Sequence, residues 1–230
     1  VDAGLTHLNI SLDTLQEDKF TQLTRRPGFS KVMKAIELAA AVSSLQVKIN
    51  CVVMKNINDD EIVDFVQWQQ THFPNIDMRF IEWMPFSDNG WANDKFVPYS
   101  TMIENLQRSS LPLQRVVDGP NDTTKWWSAA NNNNNNTGRI GFITSMSEHF
   151  CGTCNRLRLT ADGKLKTCLF GSGEVSLRDV LRNNSSSQED LQNVIYQALQ
   201  QKHAVLGGHG TPKKIAQHSK ENRPMTLIGG

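Results

Sequence analysis

Strands and helices alternate through residues 1–85, and that alternation constrains the fold more than any other feature. Residues 8–13 (LNISLD), 47–54 (VKINCVVM) and 77–84 (DMRFIEWM) have the β-branched, alternating composition of strands. Residues 30–41 read as a helix, with Ser30 as its expected N-cap and Val32, Ile36 and Ala39 on one side. Residues 59–70 read as a second helix, whose opening acids Asp59, Asp60 and Glu61 suit the positive end of its dipole. Strands separated by helices make parallel βαβ units. Three such units are too few to close an eight-stranded barrel. They suit the second half of an open one.

The faces of these strands carry a second message. A strand covered on both sides is a near-continuous apolar run. Here Asn9, Ser11 and Asp13 share one face and Leu8, Ile10 and Leu12 the other. In the second strand Gln46, Lys48 and Asn50 oppose Val47, Ile49, Cys51 and Val53. The third is less clean, because Glu82 and Met84 fall with Phe80. Closed barrels are filled by branched apolar side chains, so a polar face on successive strands predicts a wet or ligand-filled lumen. The alternative is an ordinary sheet with one solvated face. Cys51, on the apolar side, reads as a buried structural thiol.

From about residue 86 the pattern changes. Residues 100–108 read as a helix, and 114–117, 124–127 and 139–144 as short strands. Residues 131–136 are asparagine only, a run that buries no apolar area and reads as a disordered insert. Residues 187–202 place Leu191, Val194, Ile195, Ala198 and Leu199 at helical spacing. A Gly- and Pro-rich tail then ends in Gly229-Gly230. The expected organisation is a partial βα barrel over 1–98, an α+β extension over 99–206, and a flexible tail over 207–230. With 24 basic and 23 acidic residues the net charge is +1, which argues against nucleic-acid binding. No apolar run is long enough for a transmembrane helix.

Three of the four cysteines cluster as C-x2-C-x13-C: Cys151, Cys154 and Cys168. A CxxC sets two thiolates on one tight loop. Structural zinc wants four ligands, and His149 is an irregularly spaced fourth. A 4Fe–4S cluster is usually held by four thiolates, and three leave one iron open. A disulfide strands one cysteine. Spacing alone leaves all three readings standing. Residues 155–160 and 164–169 then read as a β-hairpin. A three-residue loop 161–163, with Gly163 in the left-handed position, pairs Leu159 with Leu165, Arg158 with Lys166 and Arg156 with Cys168. Arg156, Arg158, Lys164 and Lys166 then crowd one face. Facing like charges destabilise a sheet, so the pattern predicts a polyphosphate site, against the plainer reading of a solvated basic strand.

The stretch 141–169, GFITSMSEHFCGTCNRLRLTADGKLKTCL, closely resembles the molybdenum cofactor biosynthesis A family, radical SAM enzymes that act as GTP 3′,8-cyclases. LNISLD, VKINCVVMKNINDDE and RFIEWMP resemble it in the same order, and so does the terminal Gly-Gly. The resemblance implies an α/β fold: the second half of an incomplete TIM-like radical SAM barrel, with a C-terminal α+β extension carrying an iron–sulphur site. It implies SAM-dependent radical rearrangement of GTP to (8S)-3′,8-cyclo-7,8-dihydroguanosine 5′-triphosphate. Carried over by position, Cys151, Cys154 and Cys168 hold an auxiliary 4Fe–4S cluster. Arg156, Leu157, Arg158 and Lys48 contact GTP, and Ser11 and Met84 contact S-adenosylmethionine. The family's other 4Fe–4S cluster sits on CxxxCxxC, which this chain lacks, so a partial chain, inactive alone, is expected. The resemblance also implies a homodimer and a following pyranopterin-pathway enzyme as partners. It places the protein in mitochondria if eukaryotic, as the asparagine run favours, and in the cytoplasm if bacterial. Two rival functions are a structural zinc-binding interaction module and another radical SAM enzyme with an auxiliary cluster.

Overall fold

The computed structural model describes residues 3–87, 89–109, 111, 113–129, 138–183 and 185–228. The chain divides into two units: Val1–Trp83 with Asn93–Glu148, and Met84–Ala92 with His149–Gly230.

The first unit is α/β, built on a mixed sheet. Its strands are β1 (His7–Ser11), β2 (Gln46–Val53), β3 (Asp77–Glu82), β4 (Leu113–Arg115), β5 (Thr124–Ala129) and β6 (Ile140–Ile143). Their order is β1-β2-β3-β6-β5-β4. β1, β2, β3 and β6 run parallel, and β5 and β4 close the sheet antiparallel. The sheet thus runs on past residue 98, because β6 docks beside β3 and carries β5 and β4 with it.

Four helices belong to this unit: α1 (Glu17–Thr24), α2 (Phe29–Ala40), α3 (Ile62–His72) and α4 (Tyr99–Arg108). The strand alternation expected from sequence is observed: β2 is buried at every second residue from Val47 to Val53. Val47, Ile49, Val53, Met78, Phe80 and Phe142 meet Ile36 of α2, Phe65 and Val66 of α3, and Met102 and Leu106 of α4 in one core. Phe80 stacks on Phe142 at 5.7 Å, and Phe65 meets it edge-on at 6.2 Å, both within the favourable range for aromatic pairs. Cys51 lies in this core, 1% exposed, and burial pushes its thiol well up.

Two local expectations are corrected. Ser30 lies inside α2, which starts at Phe29 after Gly28 with no side-chain cap. The acidic run 59–61 is a 3-10 turn leading into α3. Asn58 stabilises that turn: its Oδ1 accepts from the Met54 N–H and its Nδ2 donates to the Asp13 and Val52 carbonyls.

The second unit holds an antiparallel sheet of β7 (Arg158–Leu159), β8 (Lys164–Lys166) and β9 (Glu174–Ser176), with α5 (Leu177–Arg182), α6 (Gln188–Gln200) and α7 (Pro212–Gln217). The amphipathic helix expected over 187–202 is α6. Ser187 caps it in a reciprocal capping box with Asp190. Ser187→Ala is expected to destabilise the protein by about 1 kcal/mol. Chemical denaturation followed by far-UV circular dichroism checks this, and an unchanged midpoint would contradict it. Among the described residues no helix is long and apolar enough to cross a membrane. The asparagine run and the terminal Gly229-Gly230 lie outside the described residues.

Candidate functional site

In the first unit, register sets the chemistry of the polar face. Asn9 lies opposite Lys48, and Asn50 opposite Arg79. Arg79 Nε donates to Asn50 Oδ1 and Arg79 Nη2 to Asn9 Oδ1, both at 2.8 Å. Two amide oxygens thus orient one guanidinium across three strands. Lys48 is half-buried, and burial, followed by the neighbouring Arg79 charge, lowers its pKa. Burial also lowers that of Arg79. Two partly desolvated cations side by side favour an anion. Ser11 is exposed on this face at the C-terminal end of β1. Sequence reasoning named Lys48 and Ser11 and missed Arg79. Its parity opposite Asn50 was the available signal.

At the end of β3, Glu82 turns the other way and is fully buried. Its carboxylate accepts from the N–H groups of Tyr99 (2.9 Å), Met146 (2.8 Å) and Ser147 (2.9 Å) and from the Ser147 hydroxyl. It ties the start of α4 to the loop after β6. Met84 belongs to the second unit, where it is half-buried and its carbonyl accepts from Asn89 Nδ2 at 2.7 Å.

The second unit brings the clustered cysteines into one neighbourhood. Cys151 opens a 3-10 turn, closed when the Cys154 N–H donates to the Cys151 carbonyl at 3.2 Å. All three thiols are free and half-buried. Burial pushes the Cys151 thiol up, and the Cys168 and Cys154 charges add to this. Leu206 N–H points at Cys151 Sγ at 3.3 Å. For Cys154 burial opposes ionisation, but the Arg156 backbone N–H and the Lys202 ammonium outweigh it and lower its pKa. Lys202 Nζ lies 2.9 Å from the Cys154 carbonyl, 3.1 Å from the Arg156 carbonyl and 3.7 Å from Cys154 Sγ. Among the described residues, no three His, Cys, Asp or Glu side chains are arranged to hold a metal ion. The thiols are neighbours that are not drawn into a ligand shell.

The hairpin register matches the three-residue-loop expectation: Arg158 pairs with Lys166 and Leu159 with Leu165. Gly163 takes φ 78°, and a Cβ there would lie 2.7 Å from the Arg178 Cβ. The four-cation face is corrected. β9, unforeseen in the sequence, lays Glu174 beside Lys166, and Lys164 lies 3.5 Å from its carboxylate. Lys166 is fully buried. Arg156 faces the Phe150 ring at 5.4 Å, Leu157 is exposed, and Arg158 Nη1 donates to the Ile228 carbonyl at 3.1 Å. The basic group left beside the thiols is therefore Arg156, Arg158 and Lys202.

The family model described as Molybdenum Cofactor Synthesis C matches residues 76–206. The chain belongs to the Molybdenum Cofactor Synthesis C family. The Radical SAM superfamily model matches residues 1–68. A mitochondrial GTP 3′,8-cyclase of Arabidopsis thaliana is 45% identical over 229 residues, covering 100% of this chain and 56% of the relative. Molybdenum cofactor biosynthesis protein 1 of Dictyostelium discoideum is 46% identical over 230 residues, 99% of this chain and 35% of the relative. GTP 3′,8-cyclase of Thermodesulfovibrio yellowstonii is 38% identical over 232 residues, 100% of this chain and 66% of the relative. The chain thus spans between 35% and 66% of the length of these relatives.

Proposed function

We propose that this chain is part of a radical SAM GTP 3′,8-cyclase of molybdenum cofactor biosynthesis, converting GTP to its 3′,8-cyclo-7,8-dihydro derivative. The observation that carries the reading is the set of three neighbouring free thiols, with Arg158 on strand β7 and Arg156 just before it, in a chain 45% identical to a plant GTP 3′,8-cyclase.

The donor set suits an auxiliary 4Fe–4S cluster: soft sulphur ligands, one of them already acidified, and no disulfide competing for them. Cys151, Cys154 and Cys168 would hold it. With only three protein ligands, such a cluster would supply a Lewis-acidic iron for a donor atom of the substrate. Leu206 N–H and Lys202 would stabilise the charge on the coordinating sulphurs. Arg156 and Arg158 would grip the triphosphate, since guanidinium matches phosphate oxygens in two-point contacts. Leu157 would pack beside them. On the polar face of the first unit, Lys48 would contact GTP, as the family resemblance implies, and Arg79 adds a second cation to that face. Ser11 and Met84 would contact S-adenosylmethionine, and the family's other 4Fe–4S cluster would lie elsewhere in the full-length protein. Residues 1–98 are read as a piece of a radical SAM barrel, 99–206 as the cluster-bearing extension, and 207–230 as its tail. Homodimerisation and hand-over of product to the next pyranopterin enzyme complete the proposal. A mitochondrial location follows the name of the plant relative.

Anaerobic reconstitution of the full-length protein with iron and sulphide tests the reading. A brown protein that loses one cubane's worth of iron in Cys151→Ser is the expected result. A colourless protein holding stoichiometric zinc would overturn it in favour of a structural zinc module. An iron-loaded protein that fails to bind GTP would point to another radical SAM enzyme.

A further inference from the structure

A second group of buried polar side chains lies next to the cysteine loop and takes no part in the proposed chemistry. Lys166 is fully buried and Asn222 is 5% exposed. Burial of an amide or an ammonium is costly unless each donor and acceptor is matched. Here they match each other. Lys166 Nζ donates to Asn222 Oδ1 at 3.0 Å and to the Gly171 carbonyl. Asn222 Nδ2 donates to the Leu169 carbonyl at 2.8 Å. Leu169 directly follows Cys168, so one amide joins the cysteine loop to the segment just before the chain end.

The neighbouring contacts point the same way. Arg223 bridges Asp162 at 3.1 and 3.0 Å and Glu174 at 2.7 Å. Hydrogen bonds from Arg223, then Thr160, hold the Asp162 carboxyl down at about 2. Ile228, 1% exposed, offers its carbonyl to Arg158. The C-terminal segment is thus anchored at two places, one of them a guanidinium of the proposed triphosphate grip.

We infer that Asn222 is a positioning residue: by bonding Lys166 and Leu169 together it fixes the Cys168 loop and sets where Ile228 meets Arg158. The inference rests on the proposed function only for the roles of Cys168 and Arg158. Asn222 can do this because its amide donates and accepts at once. Aspartate keeps the acceptor for Lys166 and loses the donor for Leu169.

Hydrogen–deuterium exchange of the full-length protein, read by mass spectrometry, tests this without cofactor or turnover. Asn222→Ala is expected to raise exchange about tenfold or more in peptides covering 169–171 and 224–228, as lost buried hydrogen bonds lower local opening free energy. Peptides covering β2 stay unchanged. Asn222→Asp is expected to restore protection at 224–228 and to leave 169–171 open. Ile215→Val, a change in buried α7 packing, serves as the control for general loosening. Unchanged exchange in Asn222→Ala, or equal exposure in Ile215→Val, would overturn the inference. A negative GTP-binding or reconstitution result leaves these exchange patterns intact, so the two readings fail separately.

Discussion

Replacing Glu82 with alanine is expected to destabilise the first unit by about 2–4 kcal/mol, since each buried donor left unmatched costs about 1–3 kcal/mol. Four donors depend on this carboxylate: the N–H groups of Tyr99, Met146 and Ser147 and the Ser147 hydroxyl. Glu82 and Met146 are buried and Tyr99 is half-buried, while Ser147 is exposed, so water can reach the Ser147 donors and the loss falls mainly on the other two. Glutamine is the informative partner. It keeps one acceptor oxygen but turns an amide N–H₂ towards donors, so it is expected to lose less than alanine and more than a neutral swap. The unfolding transition of the first unit, followed in denaturant with full-length protein, reads both. An alanine variant within about 1 kcal/mol of wild type would show that the carboxylate is not an anchor. Residues 146–147, near the end of the first unit, are held by Glu82.

What could be read in advance, and what could not, follows from the range of the interactions. The alternation in β2 was legible because period-two burial is local: each residue declares its own face. The hairpin register was legible for the same reason, since Gly163 supplies the positive φ that a three-residue loop needs and thereby fixes the two pairs next to it, Leu159 with Leu165 and Arg158 with Lys166; the strand does not extend to the expected Arg156–Cys168 pair. α1 was missed because a helix with one buried residue, Phe20, has almost no apolar period. β9 was missed because a three-residue strand carries too little pattern. That omission had a chemical consequence: without Glu174 the hairpin seemed to hold four uncompensated cations. Glu82, Arg79 and Asn222 share a different difficulty. Each bonds groups that are distant in sequence, such as Arg79 to Asn9 and Asn222 to Leu169, and only register and packing bring those groups together. The cysteine spacing announced that the thiols would be neighbours, but not their mutual distances, which the packing around the turn sets.

Arg158→Ala in the full-length, reconstituted protein is expected to weaken GTP binding by about tenfold to a hundredfold, the range for losing a hydrogen-bonded charge worth about 1.5–3 kcal/mol. The size of the effect follows from where the side chain sits. Burial lowers the Arg158 pKa, while the Cys168 and Cys154 charges raise it and the Arg156 charge lowers it further. A partly desolvated guanidinium is screened less than one in water, so a phosphate gains more from it. One of its N–H groups is committed to the Ile228 carbonyl. Lysine in its place keeps the charge but not the planar fork, and is expected to recover only part of the loss. Guanosine separates the contributions. Lacking phosphates, it is expected to bind wild type and Arg158→Ala alike, so the preference for GTP over guanosine collapses in the variant. Equilibrium binding of both ligands at two salt concentrations checks this, because a lost phosphate contact also flattens the salt dependence. If Arg158→Ala weakened guanosine and GTP equally, the arginine would serve the fold around Ile228, and the phosphate grip would have to be sought at Arg156 or at Lys48 and Arg79.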